Sequence, residues 1–300
     1  MNNIPIKQNE LKELQRLAAQ RELYSSAKTF QGWQIFLNMF VPVTLALLIF
    51  KWDHITPFAA LYGIISAILD PIFFDKAIET RRNKAAKIQE LFDCDVLELK
   101  SSPFKLSNDD MVEDVLTHYN AHSKISTNIE KIKDWYPNSI GQLPIQIARL
   151  ICQRTNCYWD SRLRKRYSVF IGAFGVCLFI IFMFAGLLLN KAFVDLVLMG
   201  SALVPFIQFC LKQCKDQKEA ADRLDILVNF AKEIWEKDLN KQQHELDEIS
   251  RRLQDEIFNH RSKSPLILDF IYNRFRTKDE SIMDTSAEAL IANARLRNII

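Results

Sequence analysis

The sequence contains one uninterrupted apolar segment, residues 169–189, in which no residue is charged. As a helix with a rise of about 1.5 Å per residue, this segment is roughly 30 Å long, which matches the hydrocarbon core of a bilayer. A helix of a soluble domain seldom needs apolar side chains on every face over this length. The segment therefore predicts a membrane protein.

The composition agrees once the chain is divided. The 300 residues are 49% hydrophobic and 25% charged, as in many soluble proteins, but the apolar residues are concentrated in 33–74 and 168–211. Seven glycines and nine prolines predict a largely helical fold. The net charge of +3 is too small to indicate DNA or RNA binding by the protein as a whole.

Each apolar block divides at a short polar turn into two candidate transmembrane helices. The predicted spans are residues 33–50, 55–74, 168–189 and 192–211. Pro42 and Pro205 lie inside the first and fourth spans, where neighbouring helices can satisfy the backbone groups that a proline leaves unpaired. The predicted fold class is an all-α membrane protein with two transmembrane hairpins, four spans in total.

The remaining regions are predicted to be polar helices: an amphipathic helix within residues 1–32, a linker at 75–167 and a tail at 212–300. Lysine and arginine residues gather beside the membrane in these regions, whereas each hairpin turn holds one basic residue, Lys51 or Lys191. Because basic residues favour the cytoplasmic side, both termini and the linker are predicted to be cytoplasmic.

The tail carries apolar residues at spacings of three and four in two runs, with charged residues between them and an interruption at residues 237–243. The runs are Leu224, Leu227, Ala231 and Ile234, then Leu246, Ile249, Leu253 and Ile257. This pattern is typical of a coiled-coil-like seam. The seam either packs within the chain or holds subunits together, and the sequence leaves both roles open.

No enzyme or metal-site motif appears: there is no Gly-rich phosphate loop, no paired-cysteine zinc spacing and no H-E-x-x-H. His118 and His122 have no nearby third ligand, so neither a metal nor another cofactor is expected. The six cysteines lack a regularly spaced framework and are predicted to be free thiols.

A polar cluster lies directly before the third span. It combines guanidinium groups, an amide, an indole ring and a carboxylate, the groups that hold phosphates and stack bases. The candidate ligand-binding residues are Arg154, Asn156, Trp159, Asp160, Arg162 and Arg164. The alternative is that the basic residues only set the topology and contact anionic lipid.

Four polar residues lie inside the predicted spans. A carboxylate at such depth is costly unless it faces water or a partner, so these residues are candidates to line a pore. They are Asn38, Asp70 and Gln208 in the inner leaflet and Asp195 near the outer mouth. Alternatively, the two aspartates are solvated at the interface or pair with Lys76 and Lys191.

Five stretches of the polar regions resemble the SMODS-associated four-transmembrane effector family. They are LAAQRELYSSAK (17–28), AAKIQELFDCDVLEL (85–99), DWYP (134–137), CQRTNCYWDSRLRKRY (152–167) and RSKSPLILDFIYNRFR (261–276). Their order and the hairpin–linker–hairpin–tail layout agree along essentially the whole chain. No site residue follows from this resemblance.

The resemblance implies a non-enzymatic antiphage effector of the bacterial inner membrane. Such an effector is expected to be a homo-oligomer that permeabilises the lipid bilayer when infection raises a cyclic di- or oligonucleotide. The residues themselves leave two other classes open, a constitutive ion channel or transporter and a membrane scaffold that recruits partners through its helical tail.

Overall fold

The computed structural model describes residues 1–49, 51–101, 111–124, 129–237 and 242–296, and every regular element within these ranges is a helix. The long helices are α2 (Leu11–Ile49), α3 (Thr56–Val96), α5 (Ile145–Leu188) and α7 (Val204–Lys237). The others are α1 (Ile4–Lys7), α4 (Val112–His122), α6 (Phe193–Ser201), α8 (Gln243–Lys263) and α9 (Asp269–Leu296). The predicted all-helical class is confirmed for this part of the chain.

Helices α2, α3 and α5 are each long and apolar enough to cross a membrane. Each contains a polar and an apolar portion with no break between them. The three helices therefore continue across the domain boundaries predicted near residues 32, 74 and 167. In α2 this continuity follows from the composition, because residues 11–41 contain one glycine and no proline. The predicted amphipathic helix and the predicted first span are therefore parts of one element.

Both helices of the first hairpin contain a π-helical turn, at Phe36–Phe40 in α2 and at Asp70–Asp75 in α3. A proline accompanies each turn: Pro42 follows the first and Pro71 lies within the second. Because proline removes a donor N–H from the helical hydrogen-bond ladder, it favours such local widening. Side chains of the two turns are in contact across the hairpin.

The predicted fourth span, residues 192–211, is divided in the structure between α6 and the first turns of α7. Pro205 explains the division, because it has no N–H to donate to the carbonyl group of Ser201 and so interrupts the hydrogen-bond ladder. Three helices of membrane-spanning length are therefore found among the described residues, instead of the four predicted.

The apolar portions of these helices expose large side chains, as helices in contact with lipid tails do. Phe58, Ile64 and Val169 are 68%, 61% and 72% exposed. Helices α5 and α7 approach each other closely, since a β-carbon added at Gly175 would lie 2.9 Å from Cβ of Cys210. Small residues at such a contact are typical of helix packing in membranes.

The polar portions, in residues 1–32, 75–167 and 212–296, pack together into one helical body, called the head below. Its largest core combines side chains from all three portions, including the buried Leu17, Phe92 and Leu253. The N-terminal, linker and tail regions of the sequence thus share one hydrophobic core.

The apolar seam of the tail belongs to that core. Its buried members are Leu224, Ala231, Ile234, Leu246, Leu253 and Ile257. Of the two roles that the sequence leaves open, packing within the chain is the one seen in this structure. The last helix, α9, extends from Asp269 to Leu296.

Candidate functional site

A cavity of about 790 Å³ opens in the head. Its walls come from α2, α3, α5, α7, α8 and α9, from residues 131–135, and from the non-helical segment between α8 and α9 (residues 264–268, called the strap below). A volume of this size is typical of small-molecule binding sites. Four of these helices, α2, α3, α5 and α7, also enter the apolar part of the protein.

The cavity lining is strongly basic, with seven lysine or arginine residues against three aspartates. The basic residues are Arg21, Lys28, Arg82, Lys131, Lys133, Arg164 and Arg261, and the acidic residues are Asp134, Asp160 and Asp269. The whole chain has 39 basic and 36 acidic residues, so its small excess of positive charge is concentrated here. Such a cavity favours a ligand with several negative charges.

Aromatic rings share this lining with the cations. The rings are those of Tyr24, Trp135, Trp159 and Tyr272. The Arg21 guanidinium lies 5.6 Å from the centre of the Trp135 ring, and the Lys28 ammonium lies 5.9 Å from that of Tyr272. Phosphate-binding cations beside flat aromatic faces are the combination that proteins use to hold nucleotides.

A buried hydrogen-bond network joins α5, α8 and the strap at one wall. His260 Nε2 lies 3.1 Å from Asp160 Oδ2, and Ser264 Oγ lies 3.1 Å from His260 Nδ1. Burial lowers the pKa of His260 although Asp160 acts in the opposite direction, so the ring is neutral at pH 7. These contacts fit a ring that donates from Nε2 to Asp160 and accepts from Ser264. Ser264 is the buried C-cap residue of α8, so the network fixes the start of the strap.

The three arginines nearest this wall differ in how their charge is compensated. Arg261 pairs with the buried Asp93, which outweighs burial and raises the pKa of the guanidinium. The Arg164 guanidinium lies 3.0 Å from the Asp160 carboxylate. Burial raises the pKa of Asp160, but the positive charge of Arg164 outweighs this effect and holds the pKa below its usual range. Both arginines therefore have an acidic side chain as a direct partner.

Arg82 is compensated less well. In the part of the chain that the structure describes, its hydrogen bonds go to neutral acceptors, the backbone carbonyl oxygens of Ser262 at 2.8 Å and Ser264 at 3.1 Å. Burial lowers the pKa of Arg82 and outweighs the negative charge of Glu79, which acts in the opposite direction; the neighbouring positive charge of Arg164 lowers the pKa further. Of these three arginines, Arg82 is thus the one to which an anion would add the missing negative partner, and Arg164 lies next to it on the same wall.

Four of the six residues predicted to bind a ligand line the cavity. They are Asn156, Trp159, Asp160 and Arg164, which the helical spacing of α5 places on its inward side. Arg154 and Arg162 are not part of the lining: Arg154 is half-buried, and Arg162 is exposed with its guanidinium 5.9 Å from the Trp159 ring. The structure thus separates the predicted cluster into two sets.

Sequence reasoning missed several lining residues, including Tyr24, Arg82, Trp135 and Arg261. Most of the missed residues lie in the stretches that carry the family resemblance, and all five stretches contribute to the lining: 17–28, 85–99, 134–137, 152–167 and 261–276. Their convergence on one site was the available signal. Arg82 lies outside these stretches and had no signal in the sequence.

The predicted intramembrane residues are only partly brought together. Asn38 donates a hydrogen bond of 2.9 Å to Asp70, and Gln34 donates one of 2.8 Å to the same carboxylate oxygen. Gln208 is exposed on α7. Asp195 belongs to α6, but its side chain lies outside the described residues.

A metal site requires several ligands close together, and a reactive thiol requires a lowered pKa. All six cysteines are free thiols. Burial raises the pKa of Cys157, which lines the cavity, to about 12, so this thiol is protonated and a poor nucleophile. Among the described residues, no group of three His, Cys, Asp or Glu side chains could hold a metal ion.

The sequence profile of the SMODS-associating 4TM effector domain matches residues 2–290. A probable CBASS effector molecule of Bacillus cereus (strain VD146) is 23% identical over 287 residues, which cover 92% of this chain and 94% of that protein. No solved structure matches the chain. The profile includes every residue of the cavity lining and both apolar blocks. The chain therefore belongs to the SMODS-associating 4TM effector family.

Proposed function

We propose that this protein is a membrane effector of bacterial antiphage defence, which binds a cyclic oligonucleotide in the cavity of the head and then permeabilises the inner membrane. The observation that carries the proposal is the position of the cavity. Its walls include α2, α3, α5 and α7, the helices that continue into the apolar part. The family and the similarity to a probable CBASS effector supply the signalling context.

The cavity suits the chemistry of a cyclic oligonucleotide. Each phosphodiester of the ring carries one negative charge, and arginine and lysine side chains of the lining can bind these charges. The bases can stack on Trp135 and Trp159, since every base offers a flat π-face. The volume of about 790 Å³ accommodates a compact ligand, whereas a DNA or RNA strand would need an extended groove.

We propose a four-span topology in which α6 and the first turns of α7 together form the fourth, interrupted span. This arrangement places the head and both termini in the cytoplasm, where lysine and arginine residues beside the membrane favour them. It also places the cavity on the side where a cytoplasmic second messenger is made.

We propose that the permeabilising species is a homo-oligomer. Within one chain, two of the four intramembrane polar side chains bind each other: the Asp70 carboxylate accepts a hydrogen bond from Asn38, and a further one from Gln34. Because these hydrogen bonds are formed within one chain, they support a closed resting form that opens on a signal, and they argue against a constitutive channel. An open form in which Asp70 faces water requires a rearrangement between helices.

Liposome flux tests the proposal. Purified protein is reconstituted into vesicles with the head outside and exposed to cyclic di-AMP, cyclic di-GMP, cyclic GMP–AMP and cyclic tri-AMP, with the linear dinucleotides as controls. We expect one cyclic compound to start dye release and to be recovered unchanged, because no catalysis is proposed. Dye release that is equal with and without every compound would support a constitutive channel and overturn the proposal.

A further inference from the structure

The strap is tied to four helices at once. Its backbone carbonyl oxygens accept hydrogen bonds from Arg82 (3.1 Å, at Ser264), Arg164 (2.8 Å, at Pro265), Gln217 (2.8 Å, at Leu266) and Gln31 (3.4 Å, at Leu266). These donors belong to α3, α5, α7 and α2 in that order, the same four helices that enter the apolar part. One non-helical segment thus connects every helix that leads from the head towards the membrane.

The side chains of the strap reinforce this connection. Leu266 is buried between α2 and α3, where it packs with Ala27 and Ile78. Ile267 and Leu268 pack against a separate core that α5 and α7 share. The strap therefore fills the space between two helix pairs at the level where the head meets the membrane part.

The strap also forms part of the cavity wall, next to the two arginines that hold it. Ser264, Pro265, Leu266 and Ile267 line the cavity together with Arg82 and Arg164. A backbone carbonyl is a neutral acceptor, whereas a phosphate group is charged and can accept two parallel hydrogen bonds from one guanidinium group, which adds both energy and geometric specificity. An anionic ligand in the cavity and the strap therefore compete for the same donors.

We propose that Arg82 and Arg164 form the phosphate-binding subsite of the cavity, and that a bound phosphodiester takes both guanidinium groups from the strap carbonyls, which detaches the strap from α3 and α5. Of the four hydrogen bonds named above, those from Gln31 of α2 and Gln217 of α7 then remain. This inference rests on the proposed function, since it names the regulation of the same site. The ligand class it requires is a cyclic nucleotide with at least two phosphodiesters: one binds this arginine pair, and the other binds cations elsewhere in the lining.

A variant of Gln217 separates the attachment of the strap from the binding of the ligand. Gln217 donates to Leu266 and accepts a 2.8 Å hydrogen bond from Arg164, but it is not part of the cavity lining. Gln217→Leu weakens the attachment of the strap, removes no cation from the cavity lining and frees the Arg164 N–H group that donates to Gln217. We therefore expect this variant to release dye from vesicles without any nucleotide, and to bind nucleotide at least as tightly as the wild type.

Hydrogen–deuterium exchange of the full chain in detergent tests the release directly. The probe is the cyclic compound that gives the largest thermal stabilisation, and the peptide read out covers residues 262–272. We expect saturating nucleotide to increase exchange in this peptide, and Arg82→Gln to bind the nucleotide about tenfold or more weakly. Arg81→Gln is the matched control, because Arg81 is the preceding residue of α3 and lies outside the cavity lining.

Unchanged strap exchange at saturating nucleotide, or equal affinity of Arg82→Gln and the wild type, would overturn the inference. The wild-type exchange measurement decides this even if the arginine variants fold poorly. Nucleotide-dependent dye release with unchanged strap exchange sinks the strap mechanism and leaves the proposed function standing. Increased exchange without dye release retains the strap mechanism and removes the proposed function.

A lipid headgroup also carries a phosphate, so its contribution is measured separately. The nucleotide-free protein is compared in vesicles of phosphatidylcholine and of phosphatidylglycerol, and inorganic phosphate is added to the protein in detergent. We expect strap exchange to be the same in all three conditions. An increase with phosphatidylglycerol alone would assign the arginine pair to lipid and overturn its assignment to a nucleotide.

Discussion

Asn38 of α2 and Asp70 of α3 are joined by a hydrogen bond of 2.9 Å inside the first hairpin. Ser66 extends the network by donating to Asn38 at 2.6 Å, and Gln34 donates to Asp70 at 2.8 Å. The network joins the two π-helical turns of the hairpin. In an apolar environment such groups are costly to leave unpaired, so the network holds the hairpin in one arrangement.

The first prediction concerns this carboxylate. Asp70→Leu leaves the amides of Gln34 and Asn38 without their acceptor and should lower the free energy of unfolding in detergent by about 1–3 kcal/mol. Asp70→Asn keeps an acceptor and should unfold close to the wild type, while reducing cation conductance if Asp70 faces water in the open form. Gln208→Leu, at an exposed position, is the control. Wild-type conductance of Asp70→Asn would remove this residue from the permeation path.

The second prediction concerns the contact of α5 with α7. A methyl group at Gly175 would lie 2.9 Å from Cβ of Cys210, so Gly175→Ala should push the helices apart and lower the free energy of unfolding by about 1–3 kcal/mol. Gly32→Ala meets no atom within 4 Å and should be neutral or stabilising. Thermal unfolding in detergent compares the two, and equal unfolding temperatures would contradict the close packing.

The third prediction separates packing within the chain from assembly. Leu246 and Leu253 are 7% and 2% exposed in the core of the head, so Leu246→Asp with Leu253→Asp should destabilise the head by about 3 kcal/mol or more. Circular dichroism and gel filtration measure helix content and oligomer size. Glu248→Ala changes an exposed position of the same helix and is the control. A smaller oligomer with an intact head would instead assign the seam to subunit contacts.

The fourth prediction is a pH dependence. The pKa of the buried His260 is below its ordinary value of 6.5, so between these two pKa values the unfolded chain binds a proton that the folded chain does not. The contribution of His260 to the free energy of unfolding is therefore fully present above about pH 6.5 and is lost as the pH falls from there towards the pKa of the folded state. His260→Gln should show a smaller loss of unfolding temperature between pH 7 and about pH 5.5 than the wild type. His244→Gln removes an exposed histidine of the same helix and is the control; identical slopes for His260→Gln and the wild type would contradict the assignment.

The fifth prediction tests stacking in the cavity. Trp159→Ala should weaken binding of the active cyclic nucleotide about tenfold or more, because stacking of a base on an aromatic ring contributes about 1–3 kcal/mol. Trp159→Phe keeps a ring and should bind closer to the wild type. Tyr158→Ala alters the preceding aromatic residue, which is outside the cavity lining, and should leave the affinity unchanged. Calorimetric titration in detergent measures all three, and tight binding by Trp159→Ala would remove the ring from the site.

The helical class and the three long apolar helices could be predicted because composition and apolar length are local properties of the sequence. The break in the fourth span was harder to predict. The effect of Pro205 depends on whether a neighbouring helix offers a donor to the carbonyl group of Ser201, and this is decided by packing. The continuity of α2 was predictable in principle: nothing between Leu11 and Val41 stops a helix, and only the change from polar to apolar residues suggested a boundary.

The cavity was predictable only in part. Asn156, Trp159, Asp160 and Arg164 lie within three turns of one helix, so their proximity follows from helical spacing. Arg82 comes from another helix and reaches the strap through a contact that spans more than half of the chain. No periodicity reports such a pairing, because it is set by how the helices of the head pack around the strap.

The length of α5 determines how far its apolar end moves when the helix tilts. Its 44 residues form one unbroken rod about 66 Å long, with the cavity residues near its middle and an apolar end beyond Ser168. The distance from Arg164 to Leu188 is about 36 Å along the axis, so a tilt of about 5° with Arg164 as the fulcrum displaces the far end by about 3 Å. A small tilt of α5 at the level of the cavity therefore shifts its apolar end by enough to change its contacts with neighbouring spans.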